Sequence, residues 1–452
     1  MHKIPDPVAW RSGWTFCLVI TGLTVGLQLV WTLPALLLRY GGTSFLLVYV
    51  GAMVLFSAPL LAVEIWLGRR GAANPISAIK LLQVRTGISS FWRLLGPLHI
   101  IVSILVLSYL CVLGGWAMSY GLDSYRGEFL GQNADHMVSK LSSFLEQSNQ
   151  MVGLLSVFLL AVAFVSAAGV KRGLGFAARL IMPVLVLLLF VLVSHNLSVG
   201  SIELLINHQN ITRDAAMSSE GIWAAVSLAF FTTSVGLGGI MACSAYMPEH
   251  QSIGGAVLGI VSLTIVFALL ISLAVLPVLL QANVEIAQGA PALFLNLPLA
   301  FGLSLNGDYY GALLYLVVAL ILACSALVLL EPIVSWLERA LIIPRYVASF
   351  AGSGLVWLVA VVSAMSFNEW SEFHLVADLT PFGVVELVTA YVLVPLLVVL
   401  NGWLFAALLG SPLYSKRFPL LTSLLARLHI AYLSPLVVIG LIWFSLQGKV
   451  FF

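Results

Sequence analysis

Long apolar runs are the feature that most constrains the fold of this chain. Stretches of about 20 residues, the length an α-helix needs to cross the hydrocarbon core of a bilayer, recur along almost the whole sequence. Only 8% of the residues are charged, against roughly 25% in a soluble domain. Lipid offers the backbone no hydrogen bonds, so only helices or closed barrels span it, and these runs are too long and uniformly apolar for barrel strands. The sequence therefore predicts an all-α polytopic membrane protein.

We predict eleven transmembrane helices, numbered spans 1 to 11, in a single transmembrane domain of residues 1–452. Most of the loops between them are short. The predicted spans cover residues 14–38, 43–67, 94–121, 151–169, 180–195, 221–247, 253–282, 309–337, 346–366, 382–409 and 428–446.

The basic residues predict the orientation of the chain. With the N-terminus on the inner side, fifteen of the 20 lysine and arginine residues fall inside, and an excess of basic residues marks cytoplasmic loops. We therefore predict a multi-pass protein of the plasma (inner) membrane, with its N-terminus in the cytoplasm and its C-terminus outside. The amphipathic segment 74–85 is predicted to lie along the inner membrane surface. The five basic residues on the outer side are Arg39, Arg126, Lys140, Arg213 and Lys449.

Composition also limits the function classes. The net charge of +2 comes from few, scattered charges, which argues against a nucleic-acid partner. No loop is long enough for a catalytic domain and no nucleophile–base constellation is present, so we predict no catalytic residue, no enzyme activity and no organic cofactor. The expected partners are the lipid bilayer and a small-molecule solute, for a monomer or a homodimer.

Three carboxylates fall within the predicted spans, and each is a candidate functional group because a charge inside a membrane is costly. Glu64 and Glu331 lie near the inner ends of their spans, where a carboxyl group can cap neighbouring backbone, and we expect that structural role for both. Glu386 lies near the outer edge of span 10 and is a candidate for a gate or for ion coupling.

Two stretches interrupt the apolar pattern with glycine and hydroxyl residues: "TGLTVGLQLVW" at 21–31 and "AFFTTSVGLGGIMACSAYM" at 229–247. Small residues are common where membrane helices pack, so each stretch alone is explained by packing. The two stretches occupy the first and sixth spans, which correspond if spans 1–5 and 6–10 are two repeats. Glycine-interrupted segments in matching positions of two halves indicate a transporter binding site made by broken helices. Repeats of five spans must have opposite membrane topology.

The residues of these segments resemble the neurotransmitter:sodium symporter family. The stretches "GLTVGLQLVWTLPALLLRYGGTSFLLVY" and "APLLAVEIWLGRRG" are similar to its first two spans, and "AFFTTSVGLGGIMACSAYM" is similar to its sixth. "GAPALFLNLPLAF" and "LILACSALVLLEPIVSWLE" resemble its outer loop and eighth span. The resemblance implies two inverted five-helix repeats, residues 14–195 and 221–409, with an additional helix at 428–446. It also implies sodium-coupled uptake of amino acids or related amines.

The resemblance implies a central substrate site between spans 1, 3, 6 and 8. The family's tyrosine in span 3 matches Tyr109, although the spacing to Trp116 leaves Leu110 as an alternative. The family's second sodium site implies a cation held by Gly22, Val25, Ile321, Cys324 and Ser325. The substrate-binding residues implied are Leu23, Thr24, Gly26, Leu27, Gln28, Tyr109, Phe231, Thr232, Ser234, Leu237, Ser325 and Leu329.

The departures from the family pattern fall on the sodium sites and the outer gate. In the first sodium site, Leu29 and Thr264 stand where the family has asparagines, so we expect that site to be lost. In the second site, Cys324 offers a soft sulfur that is a poor sodium ligand, so we expect that site to be weakened.

At the gate, Thr32 replaces the family's arginine and Leu228 the glutamine that helps to hold it, with Asp378 a loosely aligned candidate for the gate aspartate. Gln28 stands where a glycine is usual, and its bulky amide would either obstruct a substrate carboxylate or hydrogen-bond a different group of the substrate. We therefore predict a secondary transporter of a small organic solute, an amino acid or derivative, with sodium coupling reduced to at most one Na+ or lost. The alternative is a transporter-derived sensor or partner subunit that no longer transports.

Overall fold

A computed structural model of the chain describes most of the sequence. The described residues are 10–71, 74–198, 206–207, 218–248, 250–283, 292–371, 373 and 380–411, with the single positions 432, 435 and 438. These residues form helices, turns and loops, and no β-strand occurs among them. The predicted helical class is confirmed. The predicted span 428–446 and Asp378 lie outside the described residues, apart from the three single positions, so the count of eleven stays a prediction.

Eight helices of the described part are long and apolar enough to cross a membrane. The helices before and after residues 25–26 form a ninth, bent span, and two shorter helices occupy the predicted sixth span. Span 5 begins ten residues earlier than predicted, with a π turn. The spans are Gly13–Thr24 with Leu27–Tyr40 (span 1), Gly42–Gly71 (2), Ser90–Tyr125 (3), Ser148–Ala167 (4), Val170–Ser198 (5), Ser219–Thr232 with Gly239–Ser244 (6), Ile253–Ala282 (7), Gly307–Leu341 (8), Arg345–Met365 (9) and Pro381–Gly410 (10).

Serine side chains define the first turn of three spans. Ser12, Ser218 and Ser252 each have an extended backbone and a hydroxyl that accepts a hydrogen bond from the N–H three residues later. Such a cap satisfies one of the amide donors that a helix start leaves free. In the same way Asn74 caps the helix Pro75–Thr86, which the sequence predicted as amphipathic.

Spans 1 and 6 lie inside the bundle. Span 1 packs against spans 5, 7 and 8, and the two halves of span 6 pack against span 2. Span 8 also lies along span 3. The outer faces of other spans expose large apolar side chains, including Leu47, Phe164 and Leu258, each more than 60% exposed. This pattern is typical of helices that face lipid.

The end of the bundle that holds the chain start is closed by a network of hydrogen bonds. Trp10 donates its backbone N–H to the carbonyl oxygen of Tyr246 and its ring N–H to that of Cys243, each over 2.9 Å. The Tyr246 hydroxyl donates to Glu331, whose carboxylate forms a two-oxygen ion pair with Arg345. The prediction that Glu331 caps backbone is therefore wrong, because its carboxylate is paired with the guanidinium of Arg345 from span 9.

Candidate functional site

Span 1 breaks at Val25 and Gly26. The first helix ends at Thr24, and Gly26 has an extended backbone (φ −93°, ψ 179°) before the chain coils again at Leu27. The two helical parts are bent by 66°. The Thr21 carbonyl receives both the Val25 N–H and the Thr24 hydroxyl, so it is doubly satisfied at the helix end. The break leaves polar backbone groups of both half-helices at the middle of the bundle.

Span 6 breaks between Thr232 and Gly239, where the chain passes repeatedly through the left-handed region. Ser234 (φ 52°), Gly236 (φ 92°) and Gly238 (φ 79°) all have positive φ. Glycine takes this conformation without steric cost, whereas a serine there is uncommon. The Ser234 hydroxyl donates to the Leu23 carbonyl oxygen over 3.3 Å, so the two breaks are in direct contact.

Neighbouring spans satisfy the backbone groups that the span 6 break exposes. The Gly236 N–H donates to the carboxylate of Glu64 over 2.8 Å, and Glu64 is fully buried. The Ser103 hydroxyl donates to the Leu237 carbonyl oxygen from span 3. The prediction that Glu64 caps backbone is confirmed, although the backbone belongs to another span.

Substitution of Glu64 by alanine is expected to lower the free energy of unfolding by about 2 kcal/mol, because the Gly236 N–H loses its acceptor inside the bundle. Glu64→Gln keeps an acceptor oxygen at the same distance and is expected to retain most of that stability. Unfolding in mixed micelles, followed by circular dichroism, measures both. Equal losses in the two variants would show that the hydrogen bond to Gly236 does not support the break.

A cavity of about 350 Å³ lies where the two breaks meet. Spans 1, 3, 6, 8 and 10 contribute its walls. The lining is largely apolar and aromatic, with a few polar side chains, which is the usual chemistry of a small-molecule site. The lining residues are Leu23, Gly26, Leu27, Gln28, Trp31, Val106, Tyr109, Leu110, Leu113, Phe230, Phe231, Ser234, Val235, Leu237, Leu322, Ser325, Leu329, Phe382, Glu386, Thr389, Ala390 and Val394.

The structure brings most of the predicted substrate residues together at this cavity. Tyr109 and Leu110, which the sequence left as alternatives, both line it. Thr24 and Thr232 do not, because their hydroxyl groups are turned into the protein: Thr24 contacts Thr264, and Thr232 donates to the Leu228 carbonyl. The predicted residues that line the cavity are Leu23, Gly26, Leu27, Gln28, Tyr109, Phe231, Ser234, Leu237, Ser325 and Leu329.

Sequence reasoning missed the contribution of span 10, apart from Glu386. Phe382, Thr389 and Ala390 share the cavity-facing side of that span with Glu386. Phe382 lies one turn before Glu386, and Thr389 and Ala390 lie about one turn after it, which is the spacing of one helix face. If Glu386 is assumed to face the site, this spacing predicts that Phe382, Thr389 and Ala390 face it too.

The residues at the first sodium site do not fit a sodium ion. The hydroxyl oxygens of Thr24 and Thr264 are 2.7 Å apart and hydrogen-bonded to each other. The Thr264 hydroxyl also lies 2.8 Å from the Ile260 carbonyl oxygen, and Leu29 is a fully buried apolar side chain. Sodium is a hard cation that prefers several oxygen ligands, whereas the side chains here offer two hydroxyl oxygens in contact with each other and an apolar leucine.

The residues at the second sodium site fit such an ion in part. The Ser325 hydroxyl lies 3.2 Å from the Gly22 carbonyl oxygen, so two hard oxygens from spans 8 and 1 are adjacent. Val25 caps the same helix end, where carbonyl groups lack helical partners. Cys324 packs directly on Gly22, whose α-carbon has no room for a larger residue there. Ile321 is buried one turn before Ser325.

Two broken spans that meet at a mid-bundle cavity define the class of this protein. This is the architecture of secondary transporters, which place substrate and coupling ion at discontinuous helices near the bilayer midplane. By fold and site, the chain has the architecture of a polytopic membrane transporter.

Comparisons with known proteins agree with this class. The family model described as the sodium:neurotransmitter symporter family matches residues 8–140. An uncharacterized sodium-dependent transporter of Bacillus subtilis is 28% identical over 393 residues, 86% of this chain and 85% of that protein. An uncharacterized sodium-dependent transporter of Haemophilus influenzae is 25% identical over 371 residues, 80% of each chain. The chain is thus similar to sodium-dependent transporters over most of its length, and its residues 8–140 are similar to the sodium:neurotransmitter symporter family. These relatives are transporters and not enzymes.

The fold is also that of a solved transporter structure. The crystal structure of MhsT in complex with L-phenylalanine matches 98% of this chain and 99% of its own with a TM-score of 0.80, at 23% sequence identity. The overall fold is therefore shared between the two proteins.

Proposed function

We propose that the chain is a symporter for a small organic solute, an amino acid or a derivative, with sodium coupling reduced to one ion or lost. Transport would proceed by alternating access, in which the repeat 14–195 moves against the repeat 221–409 around the central site. The observation that carries the proposal is the cavity at the junction of the two breaks, bounded by Gly26 and Ser234.

Reduced coupling is supported by the chemistry of the two sodium sites. The hydrogen bond between Thr24 and Thr264 takes up the oxygens of the first site. The Ser325 hydroxyl and the Gly22 carbonyl remain side by side at the second. The Ser325 hydroxyl donates its proton to the Gly22 carbonyl, which leaves the lone pairs of the Ser325 oxygen for a cation. If no sodium binds, Glu386 is the candidate for proton coupling in its place.

Purified protein in proteoliposomes tests this function. We expect accumulation of amino acids or amines driven by a sodium gradient, with a dependence on sodium concentration that fits one ion. Potassium and proton gradients are the parallel conditions, and accumulation driven by a proton gradient alone would assign the coupling to Glu386.

Ser325→Ala is expected to reduce the apparent sodium affinity of uptake about tenfold, because it removes one hard oxygen from the second site. The matched control is Ser335→Ala on the same span, whose hydroxyl donates to carbonyl groups of its own helix and should leave sodium dependence unchanged. Unchanged sodium dependence in Ser325→Ala would place the cation elsewhere.

A non-transporting sensor or partner subunit is the competing function. The observation that favours it is the unsuitability of the first sodium site. Saturable binding of a solute without flux under every gradient would support the sensor and exclude the symporter. We further propose that the N-terminus is cytoplasmic, on the basis of the distribution of basic residues, and that the chain acts as a monomer or a homodimer.

A further inference from the structure

The cavity lining contains one acidic residue. Among the lining residues that the structure describes, Glu386 is the one carboxyl group and none is basic, and the other polar lining groups are hydroxyls, an amide and an indole. Glu386 is exposed, and Tyr109 of the facing span 3 lines the same cavity. A ligand that enters the cavity therefore meets a carboxylate and, in the described lining, no basic side chain.

Aromatic rings line the same cavity as that carboxyl group. Phe382 lies one helical turn before Glu386, and its ring centroid is 6.5 Å from that of Tyr109 in an edge-to-face arrangement. Trp31 and Phe231 line the same cavity. The faces of aromatic rings attract ammonium groups, so the rings and the carboxylate favour the same sign of ligand charge.

Gln28 lies beside Gly26 in the cavity lining. Its amide oxygen lies 2.7 Å from the point where a side-chain carbon on Gly26 would stand. Gly26 precedes the second half of span 1, and the free N–H groups of such a helix start are what would receive an anion. The Gln28 amide oxygen, itself an acceptor, covers this position.

We propose that the cavity selects an organic cation: a molecule with a protonated amine, an apolar or aromatic body and no carboxylate, with Glu386 as its counter-charge. Gln28 excludes the carboxylate of an ordinary amino acid by occupying its place. This inference rests on the proposed transport function and narrows its substrate class from amino acids or derivatives to amines.

Binding to the full-length protein in lipid nanodiscs tests the proposal with four compounds of similar shape: 2-phenylethylamine, L-phenylalanine, 3-phenylpropionate and 2-phenylethanol. We expect 2-phenylethylamine to bind about tenfold or more tightly than the two carboxylates. Glu386→Gln should weaken amine binding about tenfold and leave binding of the neutral alcohol unchanged. Gln28→Gly should increase the affinity for L-phenylalanine. Glu369→Gln is the control, because Glu369 is exposed and lies outside the cavity lining.

The inference is overturned if L-phenylalanine binds as tightly as the amine, if Glu386→Gln leaves amine affinity unchanged, or if the folded protein binds none of the four compounds. Flux of the same compounds in proteoliposomes separates this inference from the proposed function. Amine bound but never carried would exclude transport and keep the selectivity. L-Phenylalanine carried and amine ignored would exclude the selectivity and keep transport.

Discussion

Substitution of Arg345 by methionine is expected to lower the free energy of unfolding by about 3–5 kcal/mol, because it leaves the buried carboxylate of Glu331 without its ion-pair partner. Glu331 is fully buried, and both of its oxygens contact the Arg345 guanidinium, which also donates to the Ser166 carbonyl over 3.0 Å. A single substitution therefore removes the link between spans 4, 8 and 9. Denaturant unfolding in mixed micelles measures the loss.

The control for this prediction is Arg339→Met. Arg339 lies on the same span as Glu331 but is exposed, and surface charges contribute little, so its loss should cost about 1 kcal/mol or less. The double substitution Glu331→Gln with Arg345→Met should recover much of the lost stability, because no buried charge remains. Equal stability losses in Arg345→Met and Arg339→Met would contradict the role given to the ion pair.

Gly68→Ala is expected to cost about 3 kcal/mol and to abolish uptake. A methyl group at Gly68 would overlap the backbone carbonyl of Met241, in the second helix of span 6. A backbone carbonyl cannot move aside by changing rotamer as a side chain can, so spans 2 and 6 would have to separate. Overpacking of this kind is destabilising. Separation would also draw the break at Gly236 away from Glu64, which approaches it from the same span.

Gly51→Ala is the matched control for the same span. An alanine side chain at Gly51 would meet no atom within 4 Å, and alanine favours a helix over glycine by about 1 kcal/mol. The variant is expected to be at least as stable as the unsubstituted protein, with normal uptake. Thermal stability in nanodiscs and uptake in proteoliposomes check both variants. Normal stability in Gly68→Ala would show that spans 2 and 6 are less closely packed than described.

The helical fold was predictable because its cause is visible in every segment: apolar runs of membrane-spanning length. The two breaks were predictable as well, since Gly26, Gly236 and Gly238 stand where a continuous helix would be expected. The length of span 5 was not, because the π turn at Val170–Leu174 holds two basic residues that read as a loop.

The candidate site was predictable on spans 1 and 6 and much less so on span 10. Residues at the breaks differ in type from their neighbours, whereas Phe382, Ala390 and Val394 are apolar residues like those that face lipid. Only tertiary packing decides which of them face the cavity. The partner of Glu331 was missed for a similar reason. Arg345 was counted as one of the basic residues of an inner loop, and such a count does not show which carboxylate the side chain contacts.

The π turn at Val388–Leu393 changes the direction in which the side chains of span 10 point around the helix axis. In an uninterrupted α-helix the eight residues from Glu386 to Val394 would leave their side chains about 80° apart around the axis. The wider π turn accommodates about one additional residue, which reduces that offset to roughly 20° in size. The side chains of Glu386 and Val394 therefore lie on nearly the same face of span 10. If the same residues formed an uninterrupted α-helix, Glu386 would be turned away from Val394 by about 80°, so the direction of the cavity's carboxylate depends on this π turn.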